Sequence, residues 1–105
     1  MKIAVAAAFT LILLPVVAAA QSSPEVQRGL TLARTHCVRC HSIDKVSPSP
    51  LTIAPPFRDL HKRYKVEDLA EALAEGIVTG HPTMPEFRFP PDQINDFITF
   101  LNSLK

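Results

Sequence analysis

The chain has few of the features that usually stabilise a very small domain. Only two of its 105 residues are cysteines, and Cys37 and Cys40 lie too close together for a disulfide to link distant segments. A domain of this size is only marginally stable on its own core, so a bound cofactor is the expected support. The sequence also lacks internal repeats and any convincing strand pattern, which leaves one small helical domain.

The first twenty residues have the three-part pattern of a secretory signal peptide. A positive start at Met1 and Lys2 precedes an almost wholly apolar stretch over residues 3–17, and three alanines follow at 18–20. The alternative is an uncleaved membrane anchor, since the apolar stretch with its alanine end has 18 residues, a borderline length for a span. We expect cleavage after about Ala20, export to the periplasm or beyond, and a mature domain of residues 21–105.

The mature chain has no excess of charge of either sign. Without Lys2 it carries ten basic and ten acidic residues, and this balance argues against a nucleic-acid-binding protein. The charges are unevenly distributed along the chain. Residues 21–65 hold eight basic and three acidic residues, whereas residues 66–105 hold two basic and seven acidic ones. The molecule is therefore expected to have an electric dipole that orients it on a partner.

Capping and periodicity predict the helices. Ser23-Pro24-Glu25 is typical of a helix start, and an apolar stripe runs from there to the cysteines, interrupted by Gly29. A short helix is predicted over residues 56–62, with Phe57 and Leu60 inward, and a longer one over residues 66–75. Gly76 fits the left-handed position that ends the longer helix, and a final helix is predicted over residues 91–104, with Lys105 at its negative end.

Two long loops, over residues 42–56 and 78–89, separate these helices. Both contain several prolines and neither has helical periodicity. Loops of this length in so small a domain usually wrap around something. The predicted fold is all-α, with three main helices plus a short one wrapped around one cofactor.

The sequence Cys37-Val38-Arg39-Cys40-His41 predicts the chemistry. Thiols three residues apart on one helical turn point the same way, and they can add across two vinyl groups on one edge of a haem. His41 is then placed to ligate the iron from the same side. The C-x-x-C-H pattern is the attachment sequence of haem c, and an exported protein would meet the machinery that attaches it.

Other uses of the two cysteines have to be weighed. A thioredoxin-type redox pair should follow a strand in a βαβ unit, and no such unit is evident. A structural zinc ion needs four ligands, which Cys37, Cys40 and His41 would supply together with His36 or His61. A plain disulfide between the cysteines is a further alternative. Either of these would make the protein a binding module rather than a redox protein.

Met84 is the candidate for the second axial iron ligand. It is the only methionine left in the mature chain, and it lies between prolines in Gly80-His81-Pro82-Thr83-Met84-Pro85, outside any helical stripe. A thioether paired with histidine is a known axial pair of haem iron. Ordinary core filling is the alternative for a lone methionine. His81 competes for the ligand position, because imidazole also suits iron.

With these motifs the chain resembles the class I c-type cytochromes over residues 24–105. Gly29 lies eight residues before Cys37, and Ala54-Pro55-Pro56-Phe57 and Met84-Pro85 match further family motifs, although the family often has glycine where Ala54 stands. The resemblance implies that the first helix crosses the last at Gly29, near Phe97 and Phe100. It also implies that the Pro55 carbonyl accepts a hydrogen bond from His41 Nδ1–H, and the Met-Pro pattern favours Met84 over His81.

The resemblance further implies a function. One covalently bound haem c with its iron would make the protein a one-electron carrier, not an enzyme, with no small-molecule substrate. Its partners would be exported redox proteins, namely a dehydrogenase, an oxidase or a reductase, and the protein itself would be a monomer. The alternative function is a haem enzyme or gas-binding protein with an exchangeable sixth site.

Overall fold

The computed structural model describes residues 1–15, 22–77 and 83–105. Residues 1–15 are exposed and have no regular secondary structure. In the described ranges, no helix combines the length and the apolar character needed to cross a membrane. The expected cleavage position after about Ala20 lies outside the described residues, so the signal peptide stays a prediction.

Helix α1 spans Pro24–His36 and begins where the sequence predicts. The Ser23 side chain accepts a hydrogen bond from the Val26 amide at 3.3 Å, which satisfies one of the unpaired donors of the first turn. Proline at the first helical position loses no hydrogen bond there. The helix ends directly before Cys37, so it delivers the first cysteine to the end of a rigid element.

Helix α3 spans Pro91–Ser103 and crosses α1 at Gly29. A Cβ atom at Gly29 would lie 2.5 Å from Phe100 Cβ and would also collide with the Asp96 carbonyl oxygen. Glycine is therefore required by the close approach of the two backbones, not by a special φ angle. The resemblance placed Phe97 and Phe100 near this crossing. Phe100 lies there, and the other atoms that a Cβ at position 29 would meet belong to the Asp96 backbone.

The middle of the chain forms shorter helical elements. A 3-10 helix covers Phe57–Lys62, and the predicted helix over residues 66–75 consists of a 3-10 turn, Val66–Asp68, followed by α2, Leu69–Glu75. A tightened first turn is common at helix starts. Gly76 ends α2, and its φ of 100° is one that favours glycine. Its ψ of 108°, however, lies outside the left-handed helical region that the sequence predicts.

The described residues contain no strand, only one isolated antiparallel bridge between Ile77 and Phe87, so the all-α prediction is confirmed. A single apolar cluster fills the space between the helices, and Phe57 and Leu60 point into it as expected. Its buried members are Ala33, Phe57, Leu60, Val66, Leu73, Phe89, Ile94, Phe97, Phe100, Leu101 and Leu104.

Candidate functional site

One tight turn after α1 carries the two thiols and the imidazole. The Cys37 amide closes α1 by donating to the Ala33 carbonyl at 2.8 Å. The Cys40 and His41 amides then donate to the Cys37 carbonyl at 3.2 and 3.0 Å. These bonds keep all three side chains within a single turn, and each of them is half-buried. The turn thus presents two thiol groups and one imidazole from a short stretch of backbone.

The imidazole of His41 is held in one orientation. Its Nδ1 lies 2.7 Å from the Pro55 carbonyl oxygen. A carbonyl oxygen only accepts hydrogen bonds, so Nδ1 carries the proton and the lone pair of the neutral ring is on Nε2. The His41 ring also packs on Phe57, with ring centroids 4.9 Å apart. His41 therefore has a fixed ring direction, with Nε2 as the nitrogen that is able to bind a metal.

Arg58 anchors the loop between His41 and Pro55 through hydrogen bonds. The Arg58 Nη1 donates to the Ser47 carbonyl at 2.6 Å and to the Ser42 hydroxyl at 3.2 Å. Ser42 is itself buried and follows His41 directly. Because Phe57 also donates its amide to the Ser42 carbonyl at 2.9 Å, both ends of this loop are joined to the start of the following 3-10 helix.

Neither cysteine forms a disulfide. Burial raises the pKa of the Cys37 thiol to about 12, so this group is protonated in the folded chain at neutral pH. The zinc alternative needs several ligands in one place, and the described part of the chain holds no group of three or more histidine, cysteine or acidic side chains that would bind a metal ion. The turn therefore offers thioether attachment plus one nitrogen ligand rather than a zinc cage.

An apolar surface lies beside the turn. The Leu51 amide donates to the Cys40 carbonyl at 3.1 Å, which brings this leucine next to the second cysteine. Leu51 is 38% exposed, and Val38, between the two cysteines, is 43% exposed. Two thiols, one oriented imidazole and neighbouring apolar side chains are the set of groups that a covalently attached porphyrin requires, so these residues fit haem c.

Met84 lies on a different segment, 43 residues after His41 in the sequence. It is half-buried. The chain after it is joined to the α2 side of the molecule, because the Ile77 amide donates to the Phe87 carbonyl at 2.9 Å and the Phe89 amide donates to the Leu73 carbonyl at 3.0 Å. His81, the competing candidate, lies outside the described residues. The structure therefore brings Pro55 to His41, and the ligand role of Met84 stays a prediction.

Comparison with protein families decides the assignment. The family model for cytochrome c matches residues 26–105, which is most of the chain and includes Cys37, Cys40 and His41. The chain belongs to the cytochrome c family. It is a class I c-type cytochrome, and it binds haem c covalently, with iron, as an electron carrier. Searches of curated proteins and of solved structures found no match.

One feature near the haem site of this cytochrome was not predicted from the sequence. His36, which the sequence offered as a candidate fourth zinc ligand, is exposed and packs its ring against Phe87 and Phe89. Phe87 and Phe89 lie more than fifty positions after His36 in the sequence, and no local pattern connects them to it. The structure therefore links the residue that precedes the first cysteine to the segment that follows Met84.

Proposed function

We propose that this cytochrome carries one electron at a time between exported redox proteins, with His41 and Met84 as the two axial ligands of its haem iron. The observation that carries the proposal is the 2.7 Å contact between His41 Nδ1 and the Pro55 carbonyl. It uses Nδ1 for the hydrogen bond and leaves Nε2 as the nitrogen that would ligate the iron. Cys37 and Cys40 supply the two thioether bonds.

The residues around the site hold and tune the cofactor. When bound, the haem supplies the redox chemistry, in which the iron gains or loses one electron. The Pro55 carbonyl fixes the orientation of the His41 ring. Buried apolar side chains such as Phe57 and Phe97 disfavour additional positive charge nearby, and the thioether of Met84 favours ferrous iron. Both effects raise the reduction potential.

If His41 and Met84 stay bound to both ferric and ferrous iron, little rearrangement accompanies electron transfer. Such a site suits an electron carrier better than an enzyme. The protein is then not an enzyme, and no substrate needs an open position on the iron. The support for Met84 over His81 is the Met-Pro sequence and the proline-rich loop in which it lies. The competing function, a haem enzyme or gas carrier, needs an exchangeable sixth site, and the same experiment separates the two.

The test compares Met84→Ala with His81→Ala in the holoprotein. Met84→Ala should lower the reduction potential, abolish the long-wavelength absorption band of thioether-bound ferric haem and open the iron to carbon monoxide. His81→Ala should leave all three properties close to those of the wild type. The reverse pattern would make this a bis-histidine cytochrome. Carbon monoxide binding by the wild type would favour the enzyme or gas-carrier function instead.

The location and the partners belong to the same proposal. The positive start, apolar stretch and terminal alanines of residues 1–20 support export and cleavage after about Ala20. Haem attachment to Cys37 and Cys40 outside the cytoplasm agrees with this location. The partners are then exported dehydrogenases, oxidases or reductases, and the mass of the purified holoprotein tests the cleavage position.

A further inference from the structure

His36, the last residue of α1, packs against two aromatic rings of the segment that follows Met84. Its ring centroid lies 5.7 Å from that of Phe87, with the ring planes at 64°, and 5.4 Å from that of Phe89, with the planes at 49°. Both distances fall in the range of about 4.5–7 Å over which tilted aromatic pairs attract each other. The imidazole thus joins the end of α1 to this segment.

Phe87 and Phe89 are contacted from three parts of the fold. On the α2 side, their backbones are hydrogen-bonded to Ile77 and Leu73 at 2.9 and 3.0 Å. On the core side, the Phe89 ring meets the Phe97 ring edge-on at 5.9 Å. His36 supplies an aromatic contact from α1. Without it, the segment would lose its ring contact with the end of the helix that carries the haem-binding turn.

The position of His36 relates it to both halves of the haem site. It directly precedes Cys37, one of the two attachment residues, and Phe87 lies three residues after Met84. For an added ligand to replace Met84 on the iron, the Met84 segment has to move away from the haem. A contact that holds this segment against α1 opposes that movement.

We propose that His36 is a positioning residue that packs against Phe87 and Phe89, holds the Met84 segment against α1 and thereby limits exchange of the sixth iron ligand. The inference rests on the proposed ligation by Met84. It assigns no ligand role to His36 itself. It also goes beyond general stability, because it predicts an effect on the competition between Met84 and added ligands.

The test measures the binding of imidazole to the ferric holoprotein, where imidazole competes with Met84. His36→Ala should bind imidazole about tenfold more tightly than the wild type. Without the ring contacts of His36 with Phe87 and Phe89, the Met84 segment moves away from α1 more easily. His36→Phe keeps a ring at the position and should return the affinity close to the wild-type value. Phe87→Leu, which removes a ring on the other side of the contact, should also tighten imidazole binding.

Arg34→Ala is the matched control. Arg34 is an exposed residue of the last turn of α1, but it lies two positions before His36 and therefore on nearly the opposite helix face. Its side chain lines a shallow surface pocket that Phe100 also lines. Its replacement should leave the imidazole affinity unchanged, and thermal unfolding of every variant reports any general loss of stability. In the double variant, His36→Ala with Phe87→Leu, the gain in imidazole-binding free energy should be smaller than the sum of the gains in the two single variants.

The outcomes separate this inference from the ligand assignment. If the wild type and His36→Ala both show the thioether absorption band and bind imidazole equally, the positioning role is wrong and the Met84 assignment stands. If the imidazole affinity instead changes in step with the melting temperature across all variants, Arg34→Ala included, the effect is one of general stability and the positioning role is also wrong. A wild type without the band overturns the ligand assignment and the inference with it.

Discussion

At the scale of single residues, a two-pronged ion pair joins Arg28 of α1 to Asp96 of α3. Arg28 Nε donates to Asp96 Oδ2 at 2.8 Å, and Arg28 Nη2 donates to Asp96 Oδ1 at 3.1 Å. Asp96 is buried, with its side chain 10% exposed, while 58% of the Arg28 side chain is exposed. A two-pronged contact with a buried carboxylate is more specific than an ordinary surface ion pair.

The Arg28–Asp96 contact should make stability depend on pH. The hydrogen bond from Arg28 lowers the pKa of Asp96 below its usual value, despite the opposing effect of burial. In the unfolded chain an aspartate titrates near about pH 4. The contact therefore stabilises the fold fully above that pH, and this contribution is lost as the pH falls through the lower pKa of the folded protein.

We expect Asp96→Asn to be less stable than the wild type near neutral pH, and the difference in melting temperature to shrink as the pH falls to about 3. Thermal unfolding of the holoprotein over this range measures it. Glu71→Gln, which removes an exposed carboxylate from α2, controls for the change in net charge. A difference between Asp96→Asn and the wild type that is constant with pH would contradict the electrostatic account.

At the scale of elements, the crossing of α1 and α3 organises the molecule. Gly29 lets the two backbones approach, Arg28 bonds to Asp96 beside the crossing, and Phe100 packs where a side chain at Gly29 would otherwise lie. The crossing is also what places the end of α1, and hence the Cys37–His41 turn, against the core. The geometry of the haem site thus depends on a contact between the first and last helices.

Gly29→Ala should reveal how tight this crossing is. Helix propensity alone would make the alanine variant more stable by about 1 kcal/mol. The new Cβ would instead collide with the Asp96 carbonyl and with Phe100 Cβ, both of which belong to the facing helix. Because the helices must separate to accommodate it, we expect a net destabilisation of about 1–3 kcal/mol in denaturant unfolding.

Thr31→Ala is the control for this substitution, since Thr31 is an exposed residue of the same helix and its hydroxyl donates back to the Gln27 carbonyl of the preceding turn. It should be neutral or slightly stabilising, as propensity predicts. A Gly29→Ala protein as stable as the Thr31→Ala protein would show that the crossing can relax without cost.

At the scale of the whole molecule, the haem site completes a small core. The buried apolar cluster draws on α1, α2, α3 and the 3-10 helices, yet Val38 and Leu51 beside the cysteines are substantially exposed. A domain this small buries a smaller share of its surface than larger domains do. We therefore expect covalent attachment at Cys37 and Cys40 to contribute to folding as well as to function.

Cys37→Ser and Cys40→Ser should each lose most of the holoprotein, because binding free energy at this site is also folding free energy. Haem absorbance per milligram of purified protein and far-ultraviolet circular dichroism measure the effect. Val38→Ser changes an exposed residue between the two cysteines and leaves both thiols in place, so it should retain the haem. A helical, monomeric apoprotein of normal thermal stability would contradict a folding role for the haem.

Much of this architecture is encoded locally. The cap at Ser23 and the periodicity of the last helix predict where α1 and α3 lie, because both signals depend on residues a few positions apart. The helix over residues 66–75 is predicted as one element and is found as a 3-10 turn followed by α2. The two helix types differ in their backbone hydrogen bonds, which the pattern of apolar side chains does not distinguish. The sixth ligand stays a prediction from the Met84 loop.

The sequence by itself determined the cofactor, since two thiols and an imidazole within five residues need only one turn of backbone to converge. Only the tertiary structure decided how that turn is supported. The Pro55 carbonyl contacts His41 at the other end of a loop. Asp96 contacts Arg28 across 68 residues of sequence, and Phe87 contacts His36 across more than fifty. Such contacts depend on how the helices pack, and packing is set by the shape of the whole core rather than by any short stretch of the chain.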